Sequence, residues 1–325
     1  MADDLRVATA PDGAILPVID VTDPRFSVPH TEAELTALAA TALAEEQRRG
    51  PLQRLLMRVV LRGLARRSRL VAALQAADGG YLGGIATYVM KLPPALLPPP
   101  YDTEIDRRIV MSPTVQAMRI RLHQVAHLLA GALAPRLAVA PAAPLGLLDI
   151  AGGPSSDALN ALLLLERQGL IGDRKVDIRI YDLDADGPAF AAGQLASLRE
   201  GPLRNRAITL QHVPGNWADL ATLRAAIAAF PDDAVLAATS EGGLFEYGTD
   251  TDITGVLAVL ASRFGTVTGS VTRDDELNRL LRRHSRARTI PRGLNRFAQL
   301  AGASGYRIAE SRPSPLSDQV LLDIG

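Results

Sequence analysis

Two acids and a glycine turn carry the most legible chemistry in this sequence. Asp149-Ile150-Ala151-Gly152-Gly153-Pro154-Ser155 begins at the end of the strand-like run Leu145–Ile150, and Asp182 closes a second strand-like run, Val176–Tyr181. Glycines after a strand let backbone come close to a ligand. An acid at the end of the next strand is placed to grip both hydroxyls of a ribose. Asp149 is placed either to accept from a ligand ammonium or to fix the loop. A pyrophosphate needs Gly-x-Gly-x-x-Gly at the helix start. Pro154 and Ser155 crowd the third glycine position, so a nicotinamide dinucleotide ranks behind a ligand without that group.

A second candidate lies at Thr239-Ser240-Glu241-Gly242-Gly243-Leu244-Phe245-Glu246-Tyr247-Gly248. Its carboxylates, Glu241 and Glu246, could serve as a base, and Tyr247 could turn a ring face to a cation. His123 and His127 stand at i and i+4, the spacing of metal ligands on a helix. No third ligand and no zincin glutamate accompany them, so no metal is expected. Arginines between Arg54 and Arg69 read as a solvated helix face. No Gly-x-Ser-x-Gly elbow and no Walker sequence is present, which leaves hydrolase and kinase readings without a motif.

Bulk properties narrow the partners. The chain has 325 residues, 35 basic and 35 acidic, with 47% apolar and no cysteine. Charge balance gives no reason to expect nucleic acid. Without cysteine there is no disulfide, thiolate nucleophile or cysteine metal site. The acidic start Met1-Ala2-Asp3-Asp4 lacks an apolar signal core, and Gly, Pro or Arg interrupt every long apolar run. A cytoplasmic protein with no membrane partner is the expectation; oligomeric state is left open.

These residues need elements to hold them. From Leu145 onwards strand-like runs alternate with helical ones: strands at 145–150, 176–181, 207–212, 234–238, 265–271, 306–309 and 320–323, and helices at 156–168, 187–199, 217–229, 253–264 and 292–303. Such alternation predicts a mostly parallel sheet covered on both faces. The short link Ser311–Ser317 makes the last two strands antiparallel. Before the sheet the pattern predicts a proline- and glycine-rich arm with a short strand at 14–18. Helices follow at 31–49, 52–65 and 69–77. Tyr81–Met90 is of ambiguous state, Pro93–Pro100 reads as a polyproline linker, and a helix spans 114–133.

Residues from about Met111 to Gly325 resemble a class I S-adenosylmethionine-dependent methyltransferase. The family's first motif, an acid followed by alternating glycines, would fall on Asp149, Ala151, Gly153 and Ser155, with Gly152 and Pro154 between; Ala151 and Ser155 depart from glycine. The resemblance implies a Rossmann-like, seven-stranded α/β sheet with S-adenosylmethionine as cofactor. Asp182 would hold the ribose, and Leu183 would pack on the adenine. Asn216 and Trp217 would form the adenine-contacting turn, with Ser240 at the edge of the methionine end. Phe297–Asp323 resembles the family's closing helix and strand pair. Glu104–Arg108 and Met118–Arg121 are similar to segments of a bacterial small-molecule branch, in which Arg119 would meet the methionine carboxylate.

The organisation expected is a helical lobe, residues 1–110, covering an S-adenosylmethionine-binding α/β domain, residues 111–325. The lobe is expected to act as a lid, with Tyr81 and Tyr88 contributing to the pocket. Three functions follow from the resemblance. The first is methyl transfer to a small-molecule substrate of specialised metabolism. The second is cyclisation of S-adenosylmethionine to azetidine-2-carboxylate with loss of methylthioadenosine, as azetidine-2-carboxylate synthases do. The third is a non-catalytic S-adenosylmethionine-binding subunit.

Overall fold

The structure is a computed structural model that describes residues 5–48, 63–77, 81–284 and 289–325. Residues 52–62 of the helix expected at 52–65, with three of the six arginines between Arg54 and Arg69, lie outside the described residues. Nine strands are described. Two of them, β1 (Val7–Thr9) and β2 (Ile15–Pro17), form an antiparallel hairpin. The other seven form one sheet: β3 (Leu145–Ile150), β4 (Val176–Asp182), β5 (Ile208–Pro214), β6 (Val235–Ser240), β7 (Thr266–Thr272), β8 (Tyr306–Pro313) and β9 (Ser317–Ile324). Their spatial order is β5-β4-β3-β6-β7-β9-β8. Strands β3 to β7 pair in parallel, and β9 runs antiparallel to both β7 and β8. Strand order reverses beside β3, which neighbours both β4 and β6. That is the switch point at which open α/β sheets bind ligands, beyond the carboxyl ends of the strands.

Helices in chain order are α1 (Glu32–Arg48), α2 (Arg69–Ala76), α3 (Gly84–Met90), α4 (Glu104–Val110), α5 (Pro113–Val139), α6 (Ser156–Arg167), α7 (Asp186–Arg199), α8 (Leu220–Ala228), α9 (Leu244–Tyr247), α10 (Asp250–Leu260), α11 (Glu276–His284) and α12 (Gly293–Ala303). Alternate residues of β3 feed two cores. Leu145 and Leu147 join α5, α6 and α7 on one face. Leu148 and Ile150 join α8, α10 and α12 on the other.

The described residues before Val110 do not stand apart from the first core. Leu16, Phe26, Leu70, Val89 and Leu92 belong to the same apolar cluster as Leu122, Leu147 and Leu162. Pro93–Pro100 departs from the extended linker expected. Pro94–Leu96 is a single 3₁₀ turn, and Leu92, Leu97 and Tyr101 are buried. Burial of those three side chains outweighs the extended preference of the prolines. Several boundaries also moved. The helix expected from Trp217 starts at Leu220, because the Asp219 carboxylate accepts from the N–H groups of Ala221 and Thr222. Helices α4, α9 and α11 were not anticipated. The first has a capping box, Thr103 with Asp106, as its local signal.

Candidate active site at the carboxyl edge

The turn after β3 is built on an alternation of left-handed residues. Ala151 (φ 53°), Gly153 (φ 48°) and Ser155 (φ 53°) all have positive φ. These are the three places at which the motif that the sequence resembles carries a glycine. Ala151 and Ser155 therefore take the glycine conformation without being glycine, at a cost of roughly 1–2 kcal/mol each. Strain of this size is characteristic of ligand-binding turns. The surroundings hold it in place. Ser155 Oγ donates to Asp149 Oδ2 at 2.6 Å, and the Gly153 N–H donates to Asp182 Oδ2 at 2.8 Å. Any Cβ on Gly152 would overlap the Asp149 carboxyl group. Glycines from two other elements close on the turn: Gly187 of α7 and Gly84 of α3. A Cβ on Gly187 would stand 2.6 Å from Gly153 Cα. Gly187→Ala should therefore destabilise the protein by about 1–3 kcal/mol, the cost of overpacking against backbone. Chemical denaturation checks this, and a neutral effect would show that the turn has room to move.

Asp182 ends β4 in a half-buried position. Its Oδ1 accepts from the Asp184 N–H at 2.8 Å. With one backbone donor on each oxygen, lone pairs remain for further donors. Leu183 beside it is 76% exposed, an apolar platform at the rim. Asn216 is exposed, with its Oδ1 accepting from the Ala218 N–H. Trp217 meets Tyr81 edge-on at 6.0 Å between ring centroids, and Tyr81 lies 5.2 Å from Tyr247. Three rings from three separate segments thus converge at this edge.

Deeper in, four charged groups form a closed cluster. Glu241 is clasped by Lys91, which follows α3, and by Arg121 of α5. Arg121 also reaches Glu246 at 3.0 Å. All four side chains are at most 10% exposed. Burial alone would raise the Glu241 pKa, but Arg121 and then Lys91 hold it below the ordinary glutamate range. A carboxylate so stabilised is a weak proton acceptor, which counts against Glu241 as a base. Glu246 is pushed up instead, because burial outweighs its pairing with Arg121. Burial, then the Glu246 charge, raises Tyr247 to about 12.

Other expected residues are placed elsewhere. Tyr88 is 1% exposed in the core. Its hydroxyl donates to the Pro17 carbonyl at 2.7 Å and accepts from the Ile19 N–H at 2.8 Å. Both hydrogen-bonding functions are used, so it clips the N-terminal arm and does not line the site. Arg119 is 3% exposed, and its guanidinium donates to the Val110 carbonyl, at the end of α4. Arg121 is the arginine that meets the edge loop. Residues two apart on a helix point about 200° apart, so only one of the pair can face that edge. Ser240 Oγ donates to the Ile150 carbonyl at 2.8 Å and accepts from the Leu244 N–H at 2.9 Å, and so ties β6 to β3 and starts α9. His123 Nε2 lies 3.1 Å from the Phe26 carbonyl, and burial lowers its pKa to about 4. His127 Nδ1 lies 2.8 Å from the His123 carbonyl, so both rings are engaged with backbone. Lys91, Arg121 and Asp157 were not anticipated. Lys91 carried no signal, being a lone lysine before a proline run.

No protein-family model matches the chain, and no curated protein matches it in sequence. Solved structures resemble it in fold. Magnesium protoporphyrin IX methyltransferase from Synechocystis PCC 6803, with bound SAH, is 14% identical over 65% of this chain and 87% of that chain, with a TM-score of 0.45. The mitomycin 7-O-methyltransferase MmcR is 17% identical over 68% of this chain, with a TM-score of 0.40. Human N-acetylserotonin methyltransferase in complex with SAM is 15% identical over 65% of this chain, with a TM-score of 0.40. The match spans 58% and 56% of the latter two chains. Strand order and the antiparallel β9 decide the architecture. The sheet has the strand order and the antiparallel end of a class I methyltransferase sheet. The cofactor implied by that fold can be tested against the residues present. Asp182 with free lone pairs, the apolar Leu183 beside it and the Trp217 ring suit an adenosine. Asp149 Oδ1, buried and without a partner, suits an amino group. The donor and acceptor set fits S-adenosylmethionine.

Proposed function

We propose that this chain is an S-adenosylmethionine-dependent enzyme that transfers the methyl group to a small acceptor of specialised metabolism. The observation that carries the reading is the hydrogen bond from the strained turn after β3 to Asp182 at the end of β4. It brings the nucleoside-gripping acid and the close-approach turn together at the switch point. When bound, S-adenosylmethionine supplies an electrophilic carbon on a sulfonium. Asp182 would hold the ribose, Leu183 and Trp217 the adenine, and the turn Ala151–Gly153 would offer close backbone to the nucleoside. Tyr81 and Tyr247 exclude water and present ring faces to positive charge. Residues 1–110 act as the cover and residues 111–325 as the binding domain. Among the described residues no helix is long and apolar enough to cross a membrane, and the expected partner is a small molecule.

One observation favours cyclisation as a second reading. Tyr81 of the N-terminal segment packs with Trp217 and Tyr247, rings from two edge loops. A ligand folded beneath such a cap has its own amine as the nearest nucleophile. Incubation with S-adenosylmethionine alone separates the readings by chromatography. S-adenosylhomocysteine formed only with an added acceptor is the expected result. Methylthioadenosine formed well above the spontaneous rate would replace it with cyclisation. Binding without either product would leave a non-catalytic binding subunit.

A further inference from the structure

Behind the turn Asp149 stands with a second buried acid, Asp157, which has no part in the reading above. Asp149 lies on the face of β3 that meets α6, and Asp157 stands in the first turn of α6. Their exposures are 0% and 2%. A relay of hydroxyls fixes Asp157: Thr268 donates to Thr239 at 3.0 Å, and Thr239 donates to Asp157 Oδ2 at 2.5 Å. Asp149 Oδ2 accepts from Ser155, but its Oδ1 is buried with no partner, as is Ser156 Oγ in the same turn.

Charge around the pair is unbalanced. The groups that face it are Asp182 from the end of β4, Glu241 from the loop after β6, and Lys91 from the segment after α3. Arg121 of α5 and Glu246 of α9 stand behind Glu241. Both cations are already bound to Glu241. Five carboxyl groups therefore stand against two cations, and neither cation is paired with Asp149 or Asp157. Burial, then the Asp157 charge, pushes Asp149 well above the usual carboxylate range. Burial, then the Glu241 charge, raises Asp157. Two close carboxyl groups in such a place hold a shared proton in preference to ionising twice.

We propose that Asp149 and Asp157 form a proton-holding pair that gives up its proton when the ligand's amino group arrives at Asp149 Oδ1, so that ligand binding releases a proton. The proposal rests on S-adenosylmethionine as the ligand and assigns Asp157 a positioning role that no sequence motif marks. In the exchange one carboxyl O–H bond breaks, the proton passes to buffer, and an ammonium N–H donates in its place. Release is largest at pH values between the pair's pKa with ligand and its higher pKa without. It vanishes above the higher value, and affinity rises with pH through the window.

Titration calorimetry of the full chain in two buffers of different ionisation heat counts the protons. The ligand's α-amino group is protonated from pH about 5 to about 7, where the measurement is made. Release approaching about one proton per S-adenosylmethionine is expected at the lower end of that range. S-adenosylhomocysteine, which keeps the amino group and lacks the sulfonium, should release as many. Methylthioadenosine, which lacks the amino group, should release none. In Asp157→Asn the release should fall by half or more. Equal heats in both buffers with S-adenosylmethionine, or equal release with methylthioadenosine, overturns the proposal while leaving the cofactor reading intact. Absence of any binding heat overturns both. The wild-type comparison of the three nucleosides decides the matter even if Asp157→Asn fails to fold.

Discussion

Arg121→Met is expected to cost about 3–5 kcal/mol of folding stability near neutral pH, the penalty for removing one partner of a buried ionic group. Arg121 answers two carboxylates at once, Glu241 and Glu246, and its side chain is only 10% exposed. With methionine there, Lys91 alone faces both acids. The pH dependence follows from the signs. Glu241 is held below the ordinary range in the folded protein, so it adds stability above that range and loses it as pH falls. Without Arg121 both carboxyl groups rise and take up protons, so the variant recovers relative to wild type as pH falls. Denaturant unfolding at several pH values measures the gap. A loss under about 1 kcal/mol at neutral pH would place the cluster among solvated surface pairs. Arg119→Met offers the contrast. Arg119 has one carbonyl acceptor, an unpartnered Nε and no acid, and burial lowers its pKa to about 10. Its replacement should be close to neutral.

Asp182→Ala should weaken S-adenosylmethionine binding by roughly 1.5–3 kcal/mol, the worth of hydrogen bonds to a charged acceptor, or about tenfold to a hundredfold in Kd. The same change also removes the acceptor for the N–H groups of Gly153 and Asp184. A loss of affinity is therefore read together with the melting temperature. Asp182→Asn keeps one carbonyl oxygen as acceptor and should retain more of the turn than of the binding. Unchanged calorimetric affinity in both variants would mean that the ribose lies elsewhere.

Most of the sheet was legible because its central strands are short runs buried on both faces and bounded by turns. Leu145–Ile150 is the plainest case, with all six residues buried. The antiparallel end followed from a link too short for a crossover. The site was only partly legible. Asp149, Asp182 and the glycine turn are local in sequence, and the structure brings them together. Partners that meet across long separations were not readable. Lys91 and Glu241 are 150 residues apart, and Arg121 and Glu241 are 120 apart. Arg119 and Arg121 stand two apart on one helix, and sequence spacing does not say which of them meets the loop after β6. Tyr88 misled for a related reason: a tyrosine near a glycine turn looks the same whether its hydroxyl faces a ligand or a carbonyl of the same chain.

The clip formed by Tyr88 bears on how the chain is made. The arm it holds is also tied to α6, since the Val21 N–H donates to Asn160 Oδ1 at 2.8 Å and Asn160 Nδ2 donates to the Ile19 carbonyl at 3.1 Å. Residue 21 therefore waits for a partner 139 positions later. At ribosomal speeds of about 5–20 residues per second that is roughly 7–28 s. During that interval the arm lacks its bonds to Asn160. The arm thus leaves the ribosome well before the helix that holds it, a stage at which a holding chaperone would find its binding surface.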